Sequence, residues 1–291
     1  FSKTLPFNVF SKLFGIGNLR FFTLILTLLI LHFNKCSFSD ILTVSTSGNS
    51  GMKSNQFKNL RNISPNIKSK VVNKVFSDIS GSYDLMNDLM SFGMHRVWKQ
   101  QIFDFISAKK NDLFMDLAGG SGDLSKLIKD KYPDNRCVLV DANPEMIIQA
   151  KKKLKKYDLS YTCSVSEKLP FKEKEFDYIL LAFGLRNFSN IKKSLNEIYR
   201  TLNTNGKFIC LEFSQVNTQI LRNFVDIYFS IIPKLGKIIA NNESAYEYLI
   251  ESIKIFPNQM ELTKLFNSVG FNNIECFDIL DGIASIHIVK K

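Results

Sequence analysis

From residue 112 onward short apolar runs alternate with amphipathic stretches, and that alternation predicts the architecture. The runs DLFMDLAG (112–119), RCVLVDAN (136–143), LSYTCSV (159–165), FDYILLAFG (176–184) and GKFICLEFS (206–214) have the length and composition of strands. Residues 125–131, 144–156 and 191–202 are helical in character, the second opening on Pro144, where a missing N–H costs nothing. Strands and helices alternating in this way build βαβ units and a parallel sheet covered on both faces. ILLAF and FICLEF agree, because strands buried on both faces lose the in-out alternation. Ligands bind such sheets at the carboxyl ends of the strands, so the residues that follow each run are the candidate site.

The chain before residue 66 has a different pattern. Residues 1–20 mix Phe and Leu with Lys3, Lys12 and Arg20 and carry no acid, and a largely apolar run, FFTLILTLLILHF, fills 21–33. A spanning helix needs roughly 20 apolar residues, so this run is too short to cross a bilayer unaided. Residues 37–62 are rich in Ser, Thr, Asn and Gly with no sustained period. The expected organisation is a targeting leader over 1–36, a linker over 37–65 and one domain over 66–291.

Charge sharpens this division. The formal net charge of +11 would ordinarily point to nucleic acid or an anionic surface. Residues 1–77, however, hold ten Lys and Arg against the single acid Asp40, a net of +9, while 78–291 hold 28 against 26, a net of +2. The basicity belongs to the leader, which has the acid-poor, amphipathic make-up of a mitochondrial targeting peptide; the alternative is a secretory-type signal leading to another organelle. The near-neutral body argues against a nucleic-acid partner, and KKKLKK (151–156) is expected to be a solvated helix face. The five cysteines form no CxxC pair, and Cys137, Cys163 and Cys210 fall in apolar runs where a free thiol behaves as a small hydrophobe. His32, His95 and His287 show no metal-ligand spacing, so no metal is expected.

The first strand run leads into Asp116-Leu117-Ala118-Gly119-Gly120-Ser121-Gly122-Asp123. This is neither the G-x-G-x-x-G of a dinucleotide site nor a P-loop, which needs Gly-Lys-Ser/Thr. Glycines there let a ligand approach the backbone, the following helix start offers N–H groups, and Asp141, ending the next run, can accept both ribose hydroxyls of an adenosine. The pattern resembles the S-adenosyl-L-methionine-dependent methyltransferases of the Rossmann-like type.

A narrower resemblance follows from the motifs YDLMNDLMSFGMHRVW (83–98), DLAGGSGDL (116–124), EKLPF (167–171), FGLRN (183–187), LEFS (211–214), PKLG (233–236), AYEYLIESIKIFP (245–257) and DGIASIH (281–287). Together they are similar to the ubiquinone/menaquinone biosynthesis C-methyltransferases of UbiE type, over roughly residues 70–291. The resemblance implies a class I α/β fold: a mostly parallel seven-stranded sheet with an antiparallel last strand, helices on both faces and an N-terminal helical lid. It implies methyl transfer from S-adenosyl-L-methionine to a ring carbon of a polyprenylated benzoquinol. A demethylmenaquinol acceptor and a silent cofactor-binding subunit are the alternatives. It further implies a homodimer within a quinone-biosynthesis complex, and peripheral membrane contact on the matrix face of the mitochondrial inner membrane.

By the same resemblance Asp116, Gly119, Gly120, Ser121, Asp141, Ala142, Val165, Ser166 and Ala182 are the cofactor-binding residues. Arg186, His95, Tyr83, Asp84 and Asn187 are the candidates for the chemical step. The family's proposed catalytic group is Arg186; a guanidinium is a poor proton acceptor, so the expected role is stabilising the developing phenolate. His95 has an alternative as a helix residue packed near Trp98, and Asn87 and Met86 as shapers of the lid. Phe224, Ile227, Tyr228, Phe229, Ile231 and Ile232 in an aromatic-rich stretch are expected to line a prenyl channel or touch a membrane, and Tyr246, Tyr248 and Glu251 to wall the substrate. Three departures stand out. Val165 replaces the family's usual Asn or Asp near the adenine, Ala182 replaces a frequent Ser, and Arg200-Thr201-Leu202-Asn203-Thr204-Asn205-Gly206 keeps only the last glycine of a turn motif.

Overall fold

The computed structural model describes residues 3–4, 63–91, 93–240 and 242–291. The apolar run at 21–33 and nearly all of the expected leader and linker lie outside them.

Seven strands follow the sequence pattern: β1 (Phe114–Leu117), β2 (Cys137–Asp141), β3 (Ser160–Cys163), β4 (Phe176–Ala182), β5 (Leu202–Phe213), β6 (Asn272–Ile279) and β7 (Ala284–Lys290). In space they run β6-β7-β5-β4-β1-β2-β3, and β7 is antiparallel to both β5 and β6 while the other pairings are parallel. Lys3–Thr4 adds a two-residue parallel pairing on Phe277 and Asp278 of β6, an eighth edge segment from a region expected to be leader. The strand order reverses between β1 and β4. Their carboxyl ends therefore splay apart, and a crevice opens there.

Helices α1 (Pro65–Ile79), α2 (Tyr83–Ser91) and α3 (Met94–Gln101) precede the sheet. Next come α4 (Asp123–Lys131), α5 (Pro144–Lys153), α6 (Ile191–Thr201), α7 (Gln219–Ala240), α8 (Glu243–Ile255) and α9 (Gln259–Val269). Their ends are fixed by local chemistry. Asn143 caps α5 through the N–H groups of Glu145 and Met146, with Pro144 beside it, and Asn258 with Glu261 forms a reciprocal capping box on α9. The main core lies where β1, β4 and β5 meet α6 and α9, and includes Met115, Ile179, Phe208, Leu195 and Phe266.

Several boundaries and environments depart from the sequence expectations. Helix α5 stops at Lys153, short of 156, because Leu154 turns inward and is fully buried. Strand β5 begins at Leu202, ahead of the expected 206, and absorbs the altered turn as an irregularity with Asn205 at φ 73°. Cys163 is exposed, because β3 is the outer strand on that side and is only half covered; Cys137 and Cys210 are buried as expected.

Candidate active site

The crevice between β1 and β4 opens into a cleft of about 720 Å³. Each rim is a strand end: Leu117 and Ala118 after β1, Asp141 to Asn143 after β2, Ser164 to Glu167 after β3, and Phe183, Gly184 and Asn187 after β4. Over the top lies α1, which contributes Ser69, Val72, Asn73 and Phe76, with Tyr83 of α2 beside Phe76 at a ring separation of 5.9 Å. The resemblance implied an N-terminal helical lid, but not which residues of α1 reach the cleft. Two tethers place it there: Lys68 donates to the carbonyls of Arg186 (3.0 Å) and Phe188 (2.7 Å), and Asn143 donates to Asn73 O (3.2 Å) and Ser77 Oγ (3.0 Å).

The glycine turn is shaped by close approach. A Cβ at Gly119 would stand 2.7 Å from Leu139 and 2.9 Å from the Asp116 carboxylate. Gly120 and Gly122 have φ of 55° and 89°, which side chains rarely adopt. The glycines of the turn spend their own N–H groups within the protein. The N–H groups of Gly119, Gly120 and Gly122 donate to Val140 O, Asp141 Oδ2 and Gly119 O. Asp116 also faces inward. It accepts from Ser125 N (2.8 Å) and Ser125 Oγ (2.6 Å), and burial pushes its pKa up to about 6 against those hydrogen bonds. Its place is beneath the turn, holding α4 to β1.

Asp141 does face the cleft. Its Oδ2 accepts from Gly120 N (2.9 Å) and its Oδ1 from Asn143 N (2.8 Å). A carboxylate has about four lone-pair sites, so acceptor capacity remains for a ligand hydroxyl. Burial raises its pKa, and the N–H groups of Asn143, Gly120 and Ala142 oppose that rise. Ala142 and Val165 line the same end, Val165 being 43% exposed. Ser166 lines it too, with its hydroxyl 2.8 Å from Ser194 Oγ.

Beside the turn, a chain of charges joins the first helices to the sheet. Lys99 of α3 binds Asp123 (2.8 Å); Lys153 binds Asp123 and Asp84 (2.7 Å each); Asp84 accepts from Ser121 Oγ (2.9 Å). Burial alone would raise the Asp123 carboxyl, but Lys99 and Lys153 hold it well below the usual carboxylate range. Asp84 is thus a fastening for α2 and does not line the main cleft, and the basic run at 151–156 is part of this network at Lys153. Ala182 borders a small void with Tyr83, Lys99 and Asp116 behind the turn. Burial pushes the Tyr83 hydroxyl up to about 12.

The rim after β4 is built differently. Arg186 is not a lining residue of the cleft among the described residues. Its Nη1 donates to Glu212 Oε1 and to Phe183 O, each at 2.6 Å, its Nε lies 3.3 Å from Ser252 Oγ, and its guanidinium sits over the Phe213 ring at 5.3 Å. Arg186, expected to stabilise a developing phenolate, forms a buried ion pair with Glu212. Asn187 lines the cleft and accepts from Tyr248 Oη (2.9 Å); Tyr248 and Tyr246 are fully buried, while Glu251 pairs with Lys254 away from any wall.

His95 is 2% exposed and sits one turn before Lys99 on α3, with Trp98 as near neighbour in sequence. Ser91 Oγ lies 2.7 Å from Asn87 O, which can only accept, so the single hydroxyl proton goes there. Ser91 Oγ must then accept from His95 Nδ1 at 2.9 Å, which fixes the proton on Nδ1 and leaves Nε2 a bare, unpartnered lone pair. Burial lowers the His95 pKa to about 4, keeping the ring neutral. Met86 is buried and Asn87 hydrogen-bonds Tyr83.

Comparison with known proteins agrees with this geometry. The model of the ubiE/COQ5 methyltransferase family matches residues 64–291. A ubiquinone/menaquinone biosynthesis C-methyltransferase UbiE of Rickettsia bellii is 45% identical over 240 residues, covering 79% of this chain and 96% of that protein. The Rickettsia prowazekii protein of the same name is 42% identical over 233 residues, covering 77% and 94%. Among solved structures, an SAM-dependent methyltransferase of Thermotoga maritima superposes with a TM-score of 0.54 at 15% identity over 76% of this chain and 99% of its own, a likeness of fold.

Proposed function

The chain belongs to the ubiE/COQ5 methyltransferase family, and from that premise we propose that it methylates a ring carbon of 2-methoxy-6-polyprenyl-1,4-benzoquinol with S-adenosyl-L-methionine, in ubiquinone biosynthesis. The observation that carries this reading is Asp141, a carboxylate at the cleft wall with acceptor capacity to spare. That acceptor group suits a ribose diol, and Gly120 lines the cleft beside it without a side chain. The cleft residues therefore fit the donor.

When bound, the donor supplies an electrophilic S–CH3 group. Asp141 holds its sugar, with Val165 and Ala142 as an apolar wall for the base and Phe76, Asn73 and Tyr83 excluding water from above. An aromatic carbon is a weak nucleophile, and removing the proton of a neighbouring ring hydroxyl moves electron density onto it. Neither candidate group for that proton lines the cleft, and they differ in what each has to spare. His95 Nε2 carries a free lone pair on a neutral ring, whereas Arg186 is spent on Glu212 and Phe183.

The acceptor's lipid tail calls for an apolar approach, and α7 offers one: Ile220 is 86% exposed, Ile227 is exposed, and Phe224, Val225 and Phe229 are partly so. We read this helix as the peripheral membrane contact; no helix among the described residues is long and apolar enough to cross a bilayer. The basic, acid-free make-up of residues 1–36, with Lys3, Lys12, Arg20 and Lys35, supports import to the mitochondrial matrix, which sequencing the N-terminus of the processed protein would check. The activity itself is tested by labelled methyl transfer to prenylated benzoquinol and naphthoquinol acceptors in parallel. Transfer to the benzoquinol is expected; transfer to the naphthoquinol alone would reassign the protein to menaquinone synthesis, and transfer to neither would end the proposal.

A further inference from the structure

Phe183, at the carboxyl end of β4, has φ of 60°, a left-handed conformation that a bulky side chain avoids. Such strain survives only where the surroundings hold it in place. Here the surroundings are explicit. The Phe183 N–H is bound by Leu211 O (2.8 Å), and its carbonyl accepts Arg186 Nη1 (2.6 Å) and Asn187 Nδ2 (3.4 Å). Arg186 is in turn held by Glu212, which is 0% exposed and has both oxygens occupied. Oε1 takes Arg186 Nη1 (2.6 Å) and Phe213 N (2.9 Å), and Oε2 takes the Arg186 backbone N–H (3.2 Å).

A buried ion pair is a poor source of stability compared with apolar residues of the same volume, because both charges lose their water. Its retention inside the otherwise apolar run FICLEF asks for another reason. The residues it restrains supply one, since Phe183, Gly184 and Asn187 all line the cleft. We propose that Glu212 is a positioning residue for methyl transfer: through Arg186 it pins the strained Phe183 carbonyl and so fixes the cleft wall formed by Phe183 to Asn187. Arg186 then acts through the backbone rather than by meeting the acceptor ring. The inference rests on the methyltransferase reading above for its kinetic consequence, but not for its structural one.

The test uses Glu212→Gln, which keeps shape and loses charge, and Arg186→Lys, which keeps charge and loses the planar fork that reaches two acceptors at once. A third variant, Arg186→Met with Glu212→Gln, leaves no buried charge unpaired and should fold with near-native stability. Two readouts are taken. One is kcat, alongside donor affinity measured by calorimetry. The other is emission of Trp98, the chain's one tryptophan, whose ring lies 6.2 Å from both Phe183 and Phe213. All three variants are expected to lower kcat by about tenfold or more, with donor affinity within about threefold of native. They are also expected to shift Trp98 emission alike, and the double change should be no slower than the singles, because the pair acts as one unit. Native kcat and native Trp98 emission in the stable double variant would overturn the proposal. So would near-native turnover in Arg186→Lys, which would show that positive charge and not geometry is what matters. If native protein transfers no methyl group to any quinol, the function reading fails, and the shared Trp98 shift still decides whether Glu212 sets the wall.

Discussion

At the rim formed after β1 and β2 the motif residue that matters, Asp141, points at the cleft; at the rim after β4 the motif residue Arg186 points away from it. The first rim is a binding surface whose glycine turn is tied down by its own N–H groups, leaving a carboxylate free to meet a ligand. On the second rim the charged groups satisfy each other underneath, and Phe183, Gly184 and Asn187 face the cleft. A motif residue can thus serve by contact or by holding the wall that makes the contact, and type alone does not say which.

The comparison can be broken at several points. Gly122→Ala should have the largest effect, because a Cβ there meets Leu154 at 2.4 Å in a left-handed backbone. Urea denaturation should register a loss of about 2–4 kcal/mol, and a smaller loss would mean the turn is less constrained than its contacts indicate. Next comes acid sensitivity on the acceptor side. The folded pKa of His95, about 4, lies below the ordinary 6.5, so its contribution is complete above pH 6.5 and is lost as pH falls toward 4. Native protein compared with His95→Gln should therefore lose up to about 3 kcal/mol more stability across that window. Parallel pH curves for the two would contradict a neutral, buried imidazole.

On the donor side, Asp141→Ala should weaken donor affinity about tenfold or more, since a charge-assisted bond contributes roughly 1.5–3 kcal/mol. The smallest effect is a gain. Val165→Asn restores a side-chain donor and acceptor at the base-binding end and should tighten donor binding by about 1 kcal/mol, roughly fivefold. No gain by calorimetry would mean that the base does not lie against residue 165.

Strand positions were legible from the apolar runs, and Asp141 from its place at a strand end, because both depend on local pattern and topology. The seat of α1 was not. It depends on Lys68 and Asn143 reaching across the fold to carbonyls and a hydroxyl, which leaves no local periodicity. Arg186 was placed at the end of β4, but its partner was not foreseen. The missing signal was Glu212 inside FICLEF, where a carboxylate in a fully buried strand must have a partner. The exposure of Cys163 was hidden for a related reason, since a run of apolar residues does not reveal which strand will stand at the sheet edge.

The division between a binding rim and a positioning rim is tested most directly by measuring donor affinity and saturated kcat side by side in Asp141→Asn and Glu212→Gln. Asp141→Asn should raise the donor Kd with kcat largely kept, and Glu212→Gln should lower kcat with the donor Kd kept. If both variants move the same constant, the two rims do one job and the division is wrong.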